Sequence, residues 1–366
     1  MRNMRSMARA ATILSLCALL LTACDNATTN IHPSGHAGST PTTASFTTVA
    51  LVTDSSDQSN GSFNQLASAG YLKASQHYGF TPLVIPATTS NDYLTNLTTA
   101  AGEADMVVAV GFFMQTPLDK VAKEFPNKKF AMVDGCAVPD PNTGACENLP
   151  NVAALFFNEQ EAGCIVGALA AQMEVDGKTK LPKLLGKNTI GAVGSLPIPS
   201  INRSIAGYKY CARKVDPNIN IVVGYSNDFT NPASCQAIAN SQISEQQADI
   251  IFQVARDCGI GALDAATQKN VYSIGMDVDQ SKDASGKVRR SVITSALKHV
   301  NTAVYDIIND AENNQYNAFV KKPITFDLAH DGIGFATPNL DVPPDAIARA
   351  NEYESIIKAG TLILPS

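Results

Sequence analysis

Ten short apolar runs recur along this chain, at 49–52, 81–85, 106–110, 129–133, 152–156, 189–193, 219–223, 250–254, 272–275 and 291–295. Stretches of helical pattern lie between most of them, at 66–77, 93–102, 118–125, 160–173, 202–215 and 233–247, with another at 297–313. The runs have the β-branched content of buried strands. Strand alternating with helix implies mostly parallel sheets with helices on both faces. Ten strands are too many for one compact doubly wound sheet, and roughly 320 residues beyond a polar N-terminal tract call for two domains. The expected fold class is α/β, with two doubly wound parallel-sheet lobes.

The chain should cross between the lobes more than once. The run at 152–158, followed by Glu159-Gln160-Glu161, reads as a strand leaving one lobe and a helix opening the other. Thr294-Ser295, before the helical stretch at 297–313, reads as the return. The division is then 46–158 plus 296–320 for lobe 1, and 159–295 plus 321–366 for lobe 2. Lobes joined this way form a hinge and close on ligands in the cleft between them.

The N-terminus locates the protein. Arg2, Arg5 and Arg9 precede a short apolar run ending at Leu21, too short for an ordinary membrane span, so 1–23 read as a secretory signal. Its end, Leu21-Thr22-Ala23-Cys24, has the form of a lipobox, in which Cys24 is acylated (palmitate) and becomes the new terminus. Residues 24–45 are rich in Thr, Ser, Asn, Gly and Pro and form a flexible tether, with an end-to-end distance on the order of 25 Å. The expected location is the extracytoplasmic side of the cell membrane, held by lipid alone. Lys and Arg number 27 against 33 Asp and Glu, a net charge of −6 that becomes −9 once the three leader arginines are removed. An acidic chain with no basic run is a poor nucleic-acid binder.

Of eight cysteines, six lie beyond Cys24. An exported protein can keep disulfides. Cys136 and Cys146 bracket a loop of Pro, Asp, Asn and Gly and make the best pair; Cys211 with Cys235 is the second choice. No CxxC is present to suggest zinc or thioredoxin chemistry, and no metal or other cofactor is expected. No catalytic motif appears either. GxSxG and HExxH are missing, Asp176-Gly177-Lys178-Thr179 has Gln172 where a phosphate-binding loop needs glycine, and His77, His299 and His330 are scattered. A binding protein is expected, not an enzyme.

Thr53 to Gln65 forms a polar loop with one aromatic residue where the first strand hands over to a helix. Small ligands bind just outside the carboxyl ends of strands in such sheets. From there on the motifs run in a recognisable order: Thr53-Asp54, Ser62-Phe63-Asn64-Gln65, Val110-Gly111-Phe112, Val133-Asp134, Phe157-Asn158-Glu159-Gln160-Glu161, Cys258-Gly259, Gly275-Met276-Asp277-Val278-Asp279-Gln280 and Thr294-Ser295-Ala296-Leu297-Lys298. Together they resemble the basic membrane protein family of bacterial substrate-binding lipoproteins, which includes purine nucleoside receptors. The resemblance implies a type I periplasmic-binding-protein fold, a nucleoside ligand, an ABC permease as partner and a monomer. Rival readings are a receptor for a sugar or signalling molecule on the same fold, and a surface antigen or adhesin without transport.

A nucleoside needs a flat face for its base and polar groups for its edge and ribose. Phe63 is the stacking candidate or else a core residue, with Asn64 and Asp54 as edge or ribose partners. Asp277 and Lys298 fit the ribose by family position, the alternative being an ion pair within the hinge. Asp134 is a further polar contact or a turn residue, and Phe112 a pocket wall or core. Gly259 either lets backbone approach the ligand or only allows a turn. Two departures stand out. Ser204 occupies the position after Ile198-Pro199 where the family carries an aromatic residue, so the base would be held on one face, or the ligand differs. Arg256-Asp257 places charge where the family has small residues, and Arg256 could grip a carboxylate or phosphate bidentately.

Overall fold

The computed structural model describes residues 46–55, 62–320 and 322–365. The signal, Cys24, the tether and the loop residues 56–61 lie outside the described residues. The chain runs through β1 (Thr48–Thr53), α1 (Phe63–Tyr78), β2 (Thr81–Pro86), α2 (Asp92–Glu103), β3 (Met106–Val110), α3 (Gln115–Glu124), β4 (Lys129–Val133) and β5 (Val152–Phe157). It then crosses into α4 (Glu159–Lys180), β6 (Thr189–Gly194), α5 (Pro199–Val215), β7 (Asn220–Tyr225), α6 (Pro232–Ser244), β8 (Ile250–Val254), α7 (Gly259–Gln268), β9 (Tyr272–Asp277) and β10 (Val292–Lys298). The remaining elements are α8 (Val300–Glu312), α9 (Tyr316–Phe319), β11 (Ile324–Phe326), β12 (Ile333–Phe335) and α10 (Pro344–Lys358).

These form two six-stranded sheets, ordered β11-β5-β4-β3-β1-β2 and β12-β10-β9-β8-β6-β7. All neighbours pair in parallel except β10 with β12. The fold is the two-lobe α/β arrangement expected. Central strands such as β3 and β8 are buried at every residue, as parallel strands covered on both faces must be. Strand β2 carries Pro82 and Pro86 and is half exposed, which suits its place at a sheet edge. Helix α1 starts where the Ser62 hydroxyl accepts the Gln65 amide at 3.1 Å, and buries Phe63, Ala67, Gly70, Tyr71, Ala74 and Tyr78 on one stripe.

In each sheet the strand order reverses at one point, between β1 and β3 in lobe 1 and between β6 and β8 in lobe 2. Ligand crevices open outside the carboxyl ends of strands at such points. Asp54 follows β1 and Arg256 follows β8, so both reversals bring a charged residue to the cleft.

The lobe boundaries differ from the sequence division in two places. Residues 296–298 were assigned to lobe 1 as the start of a helix, yet they end β10 in the second sheet, and α8 begins only at Val300. The antiparallel pairing of Ala296, Leu297 and Lys298 with Phe335, Gly334 and Ile333 holds them there, a long-range constraint that local pattern does not carry. Residues 324–326 were assigned to lobe 2, but β11 adds to the first sheet beside β5. The chain therefore crosses a third time, between β11 and β12.

Three disulfides join Cys136 to Cys146, Cys164 to Cys211 and Cys235 to Cys258. The pairing of Cys211 with Cys235 is not formed. Cys211 lies on α5 against Cys164 of α4, where the two helices pack closely, and Cys235 on α6 faces Cys258 at the start of α7. No helix among the described residues is long and apolar enough to cross a membrane.

Candidate functional site

Strand ends from both lobes bring their charged residues to one place. Asp134, Arg256 and Asp277 each sit just past or at the end of a strand with positive φ, at 66°, 52° and 66°. Non-glycine residues seldom adopt this backbone, and where they do the surrounding fold enforces it. Gly111 has φ 106°, and a Cβ there would lie 2.1 Å from Asp54 Oδ2. Only glycine lets the Asp54 carboxylate settle against that turn.

Asp54 is the first anchor. Asn64 Nδ2 donates to its Oδ1 at 3.2 Å and to Ser55 Oγ at 2.8 Å. Tyr93 donates its hydroxyl to the Asp54 carbonyl at 3.1 Å. Across the cleft, Arg256 Nη1 donates to Asp54 Oδ2 at 2.9 Å and Nη2 to Oδ1 at 3.2 Å, a fork against a carboxylate. The guanidinium lies 5.2 Å from the ring centre of Phe63 and 5.5 Å from that of Phe229. One ring comes from each lobe. Burial works against the Arg256 charge, but Asp54 outweighs it and holds the group firmly protonated.

Lys298 is the second anchor. Only 3% exposed, it donates to Asp134 Oδ1 at 2.7 Å and to Glu159 Oε1 at 2.9 Å. The other Glu159 oxygen accepts from Arg203 Nε at 2.8 Å. Glu159 opens α4 and Lys298 closes β10, so this network straddles two of the crossings between lobes. Burial lowers the affinity of Lys298 for its proton, and Asp134, Glu159 and Asp277 together more than restore it. Asp277 makes no direct bond to Lys298; its Oδ1 is buried without a hydrogen-bond partner among the described residues. Burial pushes the Asp277 carboxyl up to about 6, with Asp134 and Glu159 adding and Lys298 and Arg256 opposing.

Phe63, Phe112, Asp134, Asp277 and Lys298 therefore line one cleft cavity, together with Gly111, Ile198, Phe229, Arg256 and Met276. Asn64 is fully buried behind Asp54 and positions it. Phe63 also belongs to the apolar core, so it packs there while one part of its ring lines the cavity. Gly259 does not face this cavity. A Cβ on it would meet Gln253 Oε1 at 1.8 Å, so the glycine makes room for the Gln253 side chain, not for a ligand. Ser204 is buried on α5, where its carbonyl faces Gly163 of α4 at a close helix crossing and its hydroxyl donates to the Ser200 carbonyl at 3.2 Å. The aromatic ring that lobe 2 does bring to the cavity is Phe229, in the loop after β7. The strand-end rule that singles out Phe63 covers Phe229 equally. Glu159, the shared partner of Lys298 and Arg203, was visible only as part of a motif.

A family model described as Bmp, ABC transporter substrate-binding protein PnrA-like, matches residues 47–363. The chain belongs to the Bmp family. Among its relatives, the CD4+ T-cell-stimulating antigen of Listeria monocytogenes is 28% identical over 87% of this chain and 88% of its own length. The ABC transporter nucleoside-binding protein BmpA of Lactococcus lactis is 26% identical over the same shares. An ABC transporter solute-binding protein from Aeropyrum pernix has the same fold, with a TM-score of 0.71 at 24% identity over 87% of this chain and 94% of that one. Bmp-family membership makes this a substrate-binding protein of an ABC transporter, with a small-molecule ligand and a permease as partner. The family is not an enzyme class.

Proposed function

We infer that this protein is a lipid-anchored, extracytoplasmic receptor that binds a purine nucleoside between its lobes and delivers it to an ABC permease. The observation that carries the ligand class is the pair of aromatic rings, Phe63 and Phe229, that hold the planar Arg256 guanidinium between the lobes with the Asp54 carboxylate at its edge. A base stacks in such a slot, at roughly 1–3 kcal/mol per aromatic contact. Asp277, with a buried oxygen awaiting a donor, and Lys298 beside it suit the diol of a ribose, which both donates and accepts. The nucleoside-binding name of the Lactococcus relative supports the same ligand class. The lipobox-like Leu21-Thr22-Ala23-Cys24 supports the anchor.

Titration calorimetry with guanosine, inosine and adenosine tests the ligand assignment. Saturable binding of at least one, uncompeted by ribose, is expected. Aromatic rings above a diol-binding carboxylate also suit a sugar, so full competition by ribose would move the assignment to a pentose. Mass spectrometry of membrane-extracted protein tests the anchor: acyl chains on Cys24 are expected, and an unmodified terminus elsewhere would contradict it.

A further inference from the structure

In the cleft, the guanidinium of Arg256 has the surroundings a bound base would need. It is planar, flanked by Phe63 and Phe229, and presents two adjacent N–H groups to both oxygens of Asp54. The cavity left beside it measures about 30 Å³, room for a water but not for a ring system. A second cavity, of about 180 Å³, adjoins and shares Phe63, Arg256, Met276 and Asp277 with the first. Arg256 thus stands between the two spaces.

The residue is not at ease in that place. Its backbone is left-handed, at φ 52°, and its Nε is buried without a partner among the described residues. The segment carrying it is nonetheless held rigidly, because Cys258 is bridged to Cys235 and donates its amide to the Phe229 carbonyl at 2.9 Å. A fixed backbone with a strained, incompletely bonded side chain suits a group that swings out when a better occupant arrives.

We propose that Arg256 is an internal stand-in for the ligand: its guanidinium fills the slot between Phe63 and Phe229, and a ligand enters by displacing it from Asp54. The proposal rests on the nucleoside reading for the identity of the natural ligand, though not for the existence of the slot. It also sets a selectivity. Whatever replaces a guanidinium on Asp54 must offer two adjacent N–H donors, as the N1–H and 2-amino groups of guanine do. Hypoxanthine offers one, and the adenine edge pairs a donor with an acceptor. The order of affinity is therefore guanosine, then inosine, then adenosine. Because the apparent affinity is the intrinsic one scaled by the fraction of open slots, removing the occupant strengthens binding.

The experiment compares the full chain with Arg256→Ala and Arg256→Lys, each checked for native circular dichroism, by calorimetry with the three nucleosides and by thermal shift with methylguanidinium. In Arg256→Ala, guanosine affinity should rise at least about tenfold and adenosine less, and millimolar methylguanidinium should raise the melting temperature of the variant but not of the parent. Arg256→Lys keeps a cation beside Asp54 without filling the flat slot, so it too should bind guanosine more tightly, and it carries the test if the alanine variant does not fold. If no protein binds a nucleoside while methylguanidinium still stabilises Arg256→Ala, the stand-in survives and the nucleoside reading fails. Guanosine binding that is unchanged or weaker in the folded variants, with no methylguanidinium effect, would overturn the stand-in and make Arg256 a ligand contact or a plain latch.

Discussion

At the cleft, Asp54, Asp134 and Glu159 each face a cation, Arg256 or Lys298, and the Asp54 and Asp134 pairs are made across the two lobes. Within lobe 2, Glu174 of α4 and Asp249 at the foot of β8 are also buried, yet they face each other. Asp249 Oδ2 accepts the Leu185 amide at 2.6 Å, and no cation among the described residues pairs with either carboxyl. Burial raises the Glu174 carboxyl to about 10, reinforced by a hydrogen bond with Asp249 and by the charges of Asp249 and Asp216. The Glu174 carboxyl is thus held neutral by burial beside Asp249, where a salt bridge stands at the cleft. A carboxyl pair locked by a proton suits packing that never has to open. Cation–carboxylate pairs between lobes can be broken and remade against a polar ligand, because water and ligand groups replace the lost partners.

The largest effect should come from removing the central cation. Lys298→Met leaves Asp134 and Glu159 crowded without it, and should destabilise the fold by about 3–5 kcal/mol in urea denaturation. A loss below about 1 kcal/mol would mean the cleft charges behave as solvated surface groups, erasing the contrast. Next is the carboxyl pair. A carboxyl whose proton is held more tightly in the fold than in the unfolded chain stabilises fully below its unfolded value, near 4.5, and loses that contribution as pH climbs toward about 10. Glu174→Gln should therefore be indifferent near pH 5 and gain on the parent above pH 7, by on the order of 1 kcal/mol per pH unit at most. Equal pH profiles for the two proteins would show that the fold does not hold the Glu174 carboxyl protonated.

Smaller effects belong to the ligand. Phe63→Leu keeps most of the buried volume and removes the flat face, so affinity should fall about tenfold while stability drops by only about 1 kcal/mol. A stability loss without an affinity loss would assign Phe63 to the core alone. Smallest is the titration of Asp277. Its carboxyl is protonated below about 6, so nucleoside affinity should weaken there, by less than about tenfold per unit, while the same raised value makes folding slightly more favourable on the acid side. Affinity flat from pH 5 to 8 would remove Asp277 from the site.

The sheets were legible because each central strand is a continuous apolar run, from Val49 to Val52 through Thr294, and because parallel pairing demands helices between them. Strands β11 and β12 were not, being three residues each and defined only by distant partners. The same limit misplaced Lys298 at a helix start. Strand-end position was enough to pick out Asp54, Phe63, Phe112 and Asp134, and the family resemblance added Asp277; all share the cleft. Strand-end position covers Phe229 as well, but the loop after β7 carries no motif that sets this ring apart from other strand-end residues. Arg256 stands in the sequence as a charge where the family has small residues, but its partner Asp54 lies 202 residues away in the chain. The sequence also hid the room that Gly259 leaves for Gln253 and that Gly163 leaves for α5.

Calorimetry of the folded full chain with guanosine, inosine and adenosine tests the cleft as a nucleoside slot most directly. One site per chain with measurable heat, guanosine strongest, is the expected result; no heat from any of the three, with circular dichroism showing an intact fold, would contradict it.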